Sequence, residues 1–206
     1  VYVTLRDERP AVPQRLVAID AATGAVRWRH TGGGGRVALT DGVLVETADA
    51  FTALRSDGST LWTRATATLG FVPDAFALDL ARGNIYVEQS GTPGIIAALI
   101  AGSGVERWRT SGHGSPSFLP EAALLSVGPN GTVYVSGLLG GRNGLRAFAP
   151  DGRRLWKFET ASRVVGAGEL SDGTVAISTE GVTLGSIQGL LTRISPHRSA
   201  GRVRTT

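Results

Sequence analysis

Ala18-Ile19-Asp20-Ala21-Ala22-Thr23-Gly24-Ala25-Val26-Arg27-Trp28 reads as a strand, a tight turn and a second strand that ends on a tryptophan. The stretch recurs along the chain. Ala53-Leu54-Arg55-Ser56-Asp57-Gly58-Ser59-Thr60-Leu61-Trp62 is the second copy. Ala98-Leu99-Ile100-Ala101-Gly102-Ser103-Gly104-Val105-Glu106-Arg107-Trp108 is the third. Ala147-Phe148-Ala149-Pro150-Asp151-Gly152-Arg153-Arg154-Leu155-Trp156 is the fourth. All 4 tryptophans close a copy, and a Thr-Gly, Ser-Gly or Asp-Gly pair lies between Ala and Trp each time. Glycine suits such turns because it takes positive φ without a Cβ clash.

A second hairpin stands before three of the copies. Val37-Ala38-Leu39 turns at Asp41-Gly42 into Val43-Leu44-Val45-Glu46. Phe76-Ala77-Leu78 turns near Gly83-Asn84 into Ile85-Tyr86-Val87-Glu88. Leu124-Leu125-Ser126-Val127 turns at Asn130-Gly131 into Thr132-Val133-Tyr134-Val135. Each unit is then four short strands, A to D, with the tryptophan on D. A four-stranded unit repeating about every 35–50 residues marks a propeller blade. The sequence therefore predicts an all-β chain with almost no helix, a β-propeller of about five four-stranded antiparallel blades. These fall in one array over 1–206, at about 1–31, 36–65, 75–110, 121–160 and 163–206. The first unit shows strands B, C and D only. The last has no tryptophan, and Arg204 stands roughly in its place.

These residues resemble the quinoprotein-type propellers built of pyrroloquinoline-quinone (PQQ)-like repeats, whose tryptophan-docking motif runs Ala-x-Asp-x-x-Thr-Gly-Lys-x-x-Trp. Ala18, Asp20, Thr23, Gly24 and Trp28 match it, and Ala25 departs from it where the family prefers lysine. The later copies keep Ala, Gly and Trp, and two of them are a residue shorter. The resemblance implies that each tryptophan packs between the alanine of its own motif and the turn glycine of the next blade. Trp28 is expected against Ala18 and Gly58, Trp62 against Ala53 and Gly104, and Trp108 against Ala98 and Gly152. Gly24, Ala147 and Trp156 complete this structural docking set. Rings of the family hold seven or eight blades. The chain is accordingly expected to be the C-terminal part of a larger propeller with the remaining blades in a longer parent, a self-closed five-bladed ring being the alternative.

Composition narrows the chemistry. Apolar residues make up 42% of the chain, enough for a core, and with no cysteine there is no disulfide, thiolate metal site or cysteine nucleophile. No apolar window of about 18 residues is present, so no membrane span is expected, and no signal peptide is visible. Lys157 is the sole lysine. The net charge of +4 and the pI near 10.3 would suit a nucleic acid or another anionic surface. Placement argues against nucleic acid. Arg27 and Arg29 flank Trp28, and Arg107 and Arg109 flank Trp108, so on a strand they point away from the tryptophan. Strand D is the outer edge of a blade, where charge blocks edge-to-edge aggregation. The run Gly32 to Gly35 lacks the Lys-Ser or Lys-Thr and the following helix of a phosphate loop and reads as a connector.

Loop length separates two faces. The A–B and C–D turns are short and uniform, whereas the B–C and D–A loops at 7–14, 65–74, 111–120, 137–144 and 180–188 are longer and irregular. Irregular loops on a rigid scaffold are where binding concentrates, which singles out Arg9, His113, Glu121, Arg142, Arg163 and Glu180. His113 has no second histidine or carboxylate at a spacing that would make a metal site or a base. The resemblance leads to a non-catalytic scaffold that binds protein or peptide partners, like the bacterial envelope scaffolds of this family, in an extracytoplasmic setting. The alternative it implies is a fragment of a PQQ-dependent dehydrogenase. Such enzymes hold Ca²⁺ through Glu, Asn and Asp and use an Asp base. Calcium wants six to eight oxygens, and no carboxylate-rich loop offers them. The vicinal cysteine pair common in that group is also absent. No quinone cofactor, no metal and no catalytic residue is expected.

Overall fold

Strand B of the repeats is a continuous apolar run in sequence, and it is buried on both faces. Every residue from Asn84 to Glu88 is buried, as are Val43 to Val45 and Val133 to Gly137. Strand D alternates between exposed and half-buried positions instead, as in Arg154–Glu159. A strand buried on both faces reads as unbroken hydrophobicity, and one at the rim reads as alternation. The computed structural model describes residues 1–5, 15–31, 34–39, 42–46, 49–71, 73, 75–89, 94–113, 124–138, 142–183, 186–194 and 204–205.

Its strands form five antiparallel sheets. The first holds β1 (Tyr2–Leu5), β2 (Arg15–Ile19) and β3 (Val26–Thr31). The second holds β4 (Gly34–Leu39), β5 (Gly42–Glu46), β6 (Ala50–Arg55) and β7 (Thr60–Ala65). The third holds β8 (Ala75–Asp79), β9 (Asn84–Gln89), β10 (Gly94–Ile100) and β11 (Glu106–His113). The fourth holds β12 (Leu125–Val127), β13 (Val133–Leu138), β14 (Asn143–Phe148) and β15 (Arg154–Glu159). The fifth holds β16 (Val164–Glu169), β17 (Val175–Thr183), β18 (Ser186–Ile194) and β19 (Arg204–Thr205). Each sheet is a meander in which every strand pairs with its neighbours in sequence. Helix among the described residues is one turn, α1 (Thr66–Leu69), and one 3₁₀ turn, Leu80–Arg82. The chain is thus all-β, with propeller-type blades.

Two compact units are present, one of Val1–Val72 with Leu99–Val105 and one of Pro73–Ala98 with Glu106–Thr206. In the first, Leu16, Val43, Val45 and Leu54 form a core on which Tyr2 and Trp28 pack. The turn α1 is tied back by Thr66, whose N–H and Oγ1 both donate to the Asp49 carbonyl, at 2.8 and 3.0 Å. Leu69 is fully buried there. In the second unit, Tyr86, Ile96 and Ala98 pack on Leu125, Val133, Val135 and Phe148. Tyr134, Leu145 and Ala147 pack on Val164, Val175 and Ile177.

Several expected loops are shorter than their composition suggests. Gly137 pairs with Gly144 and Leu138 with Asn143, so the hairpin of the fourth sheet extends into its glycines. Glu180 to Gln188, read as a loop, is mostly ladder: Glu180 pairs with Gly189, Gly181 with Gln188, Val182 with Ile187 and Thr183 with Ser186. The β-branched Val182, Thr183 and Ile187 favour extended backbone, and a register once set carries on until a turn interrupts it. Ser111 to His113 continue β11. Gly34 and Gly35, read as connector, pair with Glu46 and Val45, with a register shift before Val37. Glycine is common at such a bulge.

Candidate functional site

Across the sheets, the alanine and tryptophan of each repeat stand directly opposite each other, and a third residue completes the row. Tyr2 pairs with Ala18, which pairs with Trp28. Tyr134 pairs with Ala147, which pairs with Trp156. In the second sheet Leu44 takes the tyrosine's place opposite Ala53 and Trp62. Strands B and D lie about 10 Å apart, so the two rings meet only by leaning over the residue between them. They do so at centroid separations of 5.7 Å for Tyr2–Trp28, 5.8 Å for Tyr86–Trp108 and 5.9 Å for Tyr134–Trp156, tilted by 43–44°. That geometry is favourable for aromatic pairs. It requires a side chain no larger than alanine in the middle, and Ala18, Ala98 and Ala147 are all buried there. All 3 tyrosines of the chain are used this way. The sequence reading passed over them. Their signal is an apolar-Tyr-Val triplet three residues past a turn glycine, as in Gly83 to Tyr86 and Gly131 to Tyr134.

The indoles of Trp28, Trp62 and Trp108 also meet the turn of the following sheet, whereas a Cβ on Gly173, the turn glycine of the fifth sheet, would meet nothing within 4 Å. Nε1 of Trp28 donates to the Ser56 carbonyl, that of Trp62 to Ala101 and that of Trp108 to Pro150, each at 2.8 Å. The ring lies flat on the turn glycine. A Cβ on Gly58, Gly104 or Gly152 would come within 2.8, 2.7 or 2.6 Å of the indole of Trp28, Trp62 or Trp108, and all three glycines have positive φ. Gly24 differs, since a Cβ there would meet nothing within 4 Å. Its left-handed φ of 73° is the whole of its requirement.

The turns are built by their aspartates. Asp57, Asp151 and Asp172 each accept the backbone N–H two residues on, at 2.8, 3.0 and 2.9 Å. In the first turn Oδ1 of Asp20 takes the N–H groups of Ala22 and Thr23 at 3.0 Å, and its Oδ2 takes Nη2 of Arg27 at 2.6 Å. The Arg27 bond, with those N–H groups behind it, holds the Asp20 carboxyl at about 2.

Inside the second unit two polar clamps join the inner hairpins. Arg82, paired with Asp79 at 3.3 Å, reaches the Pro129 carbonyl at 3.5 Å and lies over Gly131. Glu169 accepts from the Tyr134 hydroxyl at 2.8 Å and from the Asn130 amide at 3.1 Å, across Gly128, where a Cβ would overlap the carboxylate. Burial, and then the Glu169 carboxylate, push the Tyr134 phenol well above its ordinary range. Neither Arg82 nor Glu169 was singled out from sequence, because the contact that makes each a clamp lies about 35–47 residues away.

Of the residues expected on the loop face, Arg142 and Arg163 are described with their side chains. Arg142 is 77% exposed and stands 3.6 Å from Glu159, which also accepts from Lys157 at 3.1 Å. With Asn143, Thr160 and Ala161 they line an open cleft of about 500 Å³. The Thr160 N–H donates to the Asn143 carbonyl at 2.8 Å and holds the two loops together. Arg163 is half-buried just before β16. His113 and Glu180 lie in β11 and β17 rather than in loops. Arg9 and Glu121 lie outside the described residues. The cleft offers one guanidinium, Arg142, and one carboxylate, Glu159, a set for polar recognition. Among the described residues no group of His, Cys, Asp and Glu could hold a metal ion, and no helix is long and apolar enough to cross a membrane.

Meanders of three or four strands, with an Ala-Trp pair across strands C and D and a turn glycine beneath three of the four indoles, define a β-propeller of PQQ-like repeats. The family model described as outer membrane protein assembly factor BamB matches residues 12–119 and 92–194, and the chain belongs to that family. Among solved structures it is similar to BamB from Moraxella catarrhalis, at 20% identity over 93% of this chain and 69% of that one, with a TM-score of 0.52. A protein of unknown function from Bacteroides caccae is similar at 18% identity over 93% and 68%, with a TM-score of 0.53. A europium-containing methanol dehydrogenase is similar at 14% identity and a TM-score of 0.60. The chain covers 49% of that enzyme's length. At these identities the likeness is one of fold. No curated protein matches the sequence.

Proposed function

We propose that this chain is a non-catalytic propeller scaffold that binds protein or peptide partners in the bacterial cell envelope, outside the cytoplasm. One observation carries the reading: apart from Glu159 in the cleft, the carboxylates whose contacts are given above serve the fold. Asp20, Asp57, Asp151 and Asp172 build turns, Asp79 anchors Arg82, Glu106 pairs with Arg109 at 2.5 Å, and Glu169 clamps Tyr134 and Asn130. A dehydrogenase needs carboxylates free to hold Ca²⁺ and to take a proton. The family match to an assembly factor supports the same reading. In it, the tryptophan rows and glycine turns are a rigid frame, and Arg142, Arg163 and the cleft beside them face the partner.

Photo-crosslinking residues placed at Arg142 and Arg163 test the proposal. Crosslinks to an envelope protein, lost in the Arg142→Glu variant crosslinked from Arg163, are the expected result. Reconstitution with PQQ and Ca²⁺ that yields a quinone absorbance and dye-linked alcohol oxidation would overturn it.

A further inference from the structure

One hairpin is basic. Residues 142–159 hold five basic and two acidic side chains, a net charge of +3. The hairpin ends on β15, the last strand in its sheet, with no strand paired to its outer edge among the described residues. Arg153, Arg154, Leu155 and Lys157 are all exposed along it, Leu155 by 40%. Lys157 lies opposite Arg146 on β14, so the two share a face. On β3 and β11 Arg27 and Arg109 are matched locally, by Asp20 and Glu106, while Arg29 and Arg107 have no carboxylate partner among the described residues. On β15 Lys157 bonds to Glu159, but neither Arg153 nor Arg154 has a carboxylate partner among the described residues.

We propose that the outer edge of β15 binds an extended acidic segment of a partner protein as an added strand. The inference rests on the scaffold reading and names the chemistry of its partner. An edge strand offers a row of unpaired N–H and C=O groups, which supply main-chain affinity, while alternate side chains supply selectivity. The regular part of β15 runs from Trp156 to Glu159, beyond the register shift opposite Phe148. Carboxylates on alternate residues of an added strand fall beside Lys157 and Arg154, and an apolar residue between them covers Leu155. Opposite charges directly across a ladder stabilise it, and like charges destabilise it. The same cations therefore repel a second copy of this edge and accept an acidic strand, which makes the edge selective as well as protected.

Two peptides of about eight residues, one alternating glutamate with valine and one alternating lysine with valine, serve as probes. Anisotropy is expected to show binding of the glutamate peptide alone, weakened as salt rises from about 50 to about 500 mM. Amide exchange in 155–159 is expected to slow on binding. Arg154→Glu with Lys157→Glu should cut affinity for the glutamate peptide about tenfold or more and admit the lysine peptide. If that variant fails to fold, the discrimination between the two peptides by the native protein and its salt dependence carry the test. Equal binding of both peptides overturns the proposal. Undiminished binding of a glutamate peptide N-methylated on its pairing amides overturns the added strand. If the glutamate peptide does not bind while crosslinks from Arg142 still capture a protein, this proposal falls and the scaffold reading stands. If neither is seen, both fall.

Discussion

At the residue scale, the alanine in the middle of each row is as specific as the tryptophan at its end. An indole brings a large apolar area and one N–H that needs an acceptor. Here Trp108 meets both needs, with its ring on Gly152 and its N–H on Pro150. Trp108→Ala opens a cavity and frees a part-buried carbonyl, and urea denaturation should show a loss of about 3–5 kcal/mol. A loss near zero would mean that the row is ornament on a core held elsewhere. Asp20 supplies a pH signature. Its folded pKa of about 2 lies below the ordinary 3.8, so its contribution is fully present above the ordinary value. That contribution is lost as pH falls through about 2, because protonation breaks the bonds from Arg27, Thr23 and Ala22. Acid unfolding of Asp20→Asn should accordingly respond less to pH between those two values than the native protein does.

At the scale of the element, neighbouring sheets are joined at the rim, at the inner hairpins or, for the third and fourth sheets, at both. The rim joint is the indole on its glycine turn. The inner joint of the fourth and fifth sheets is Glu169 with Tyr134 and Asn130. Removing the acceptor leaves the part-buried Tyr134 phenol unpaired, which costs about 1–3 kcal/mol. Glu169→Ala should therefore speed hydrogen exchange across β16 and β17, while the amides of β9 and β10 are unchanged. Uniform acceleration through the second unit would argue that Glu169 acts on overall stability and not on this joint. Arg82 with Pro129 is the corresponding inner joint of the third and fourth sheets. There a guanidinium does with a carbonyl what Glu169 does with a hydroxyl.

On the scale of the whole molecule, a repeat array is stabilised as a sum of units and nearest-neighbour contacts. Trp28 acts in the first unit through Ser56 and Gly58. Trp108 acts in the second through Pro150 and Gly152. They share no partner. The losses from Trp28→Ala and Trp108→Ala should add to within about 0.5 kcal/mol in the double variant, measured by denaturation. A larger coupling would show that the two units respond to one another.

The period, the antiparallel meander, the turn glycines and the family resemblance were legible in the linear sequence. Each rests on local chemistry: a glycine where φ is positive, an aspartate that caps its own turn, an apolar strand between rim strands that alternate. Ala18, Gly58 and Trp28 announce themselves because their spacing repeats. The tyrosine rows and the Glu169 and Arg82 joints were not legible, because their partners meet only when strands and sheets come side by side; Arg142 was marked by its loop, but not the Glu159 it meets. The ends of the loops also belong to tertiary structure. Gly137–Gly144 and Glu180–Gln188 look like loops by composition, yet the ladder draws them in, since each further pair satisfies backbone groups that a loop would leave to solvent. Local propensity thus determined which elements form and how often they recur. Packing alone decided which side chains meet, because contact across sheets depends on register and on the absence of a Cβ at Gly58, Gly104, Gly128 and Gly152.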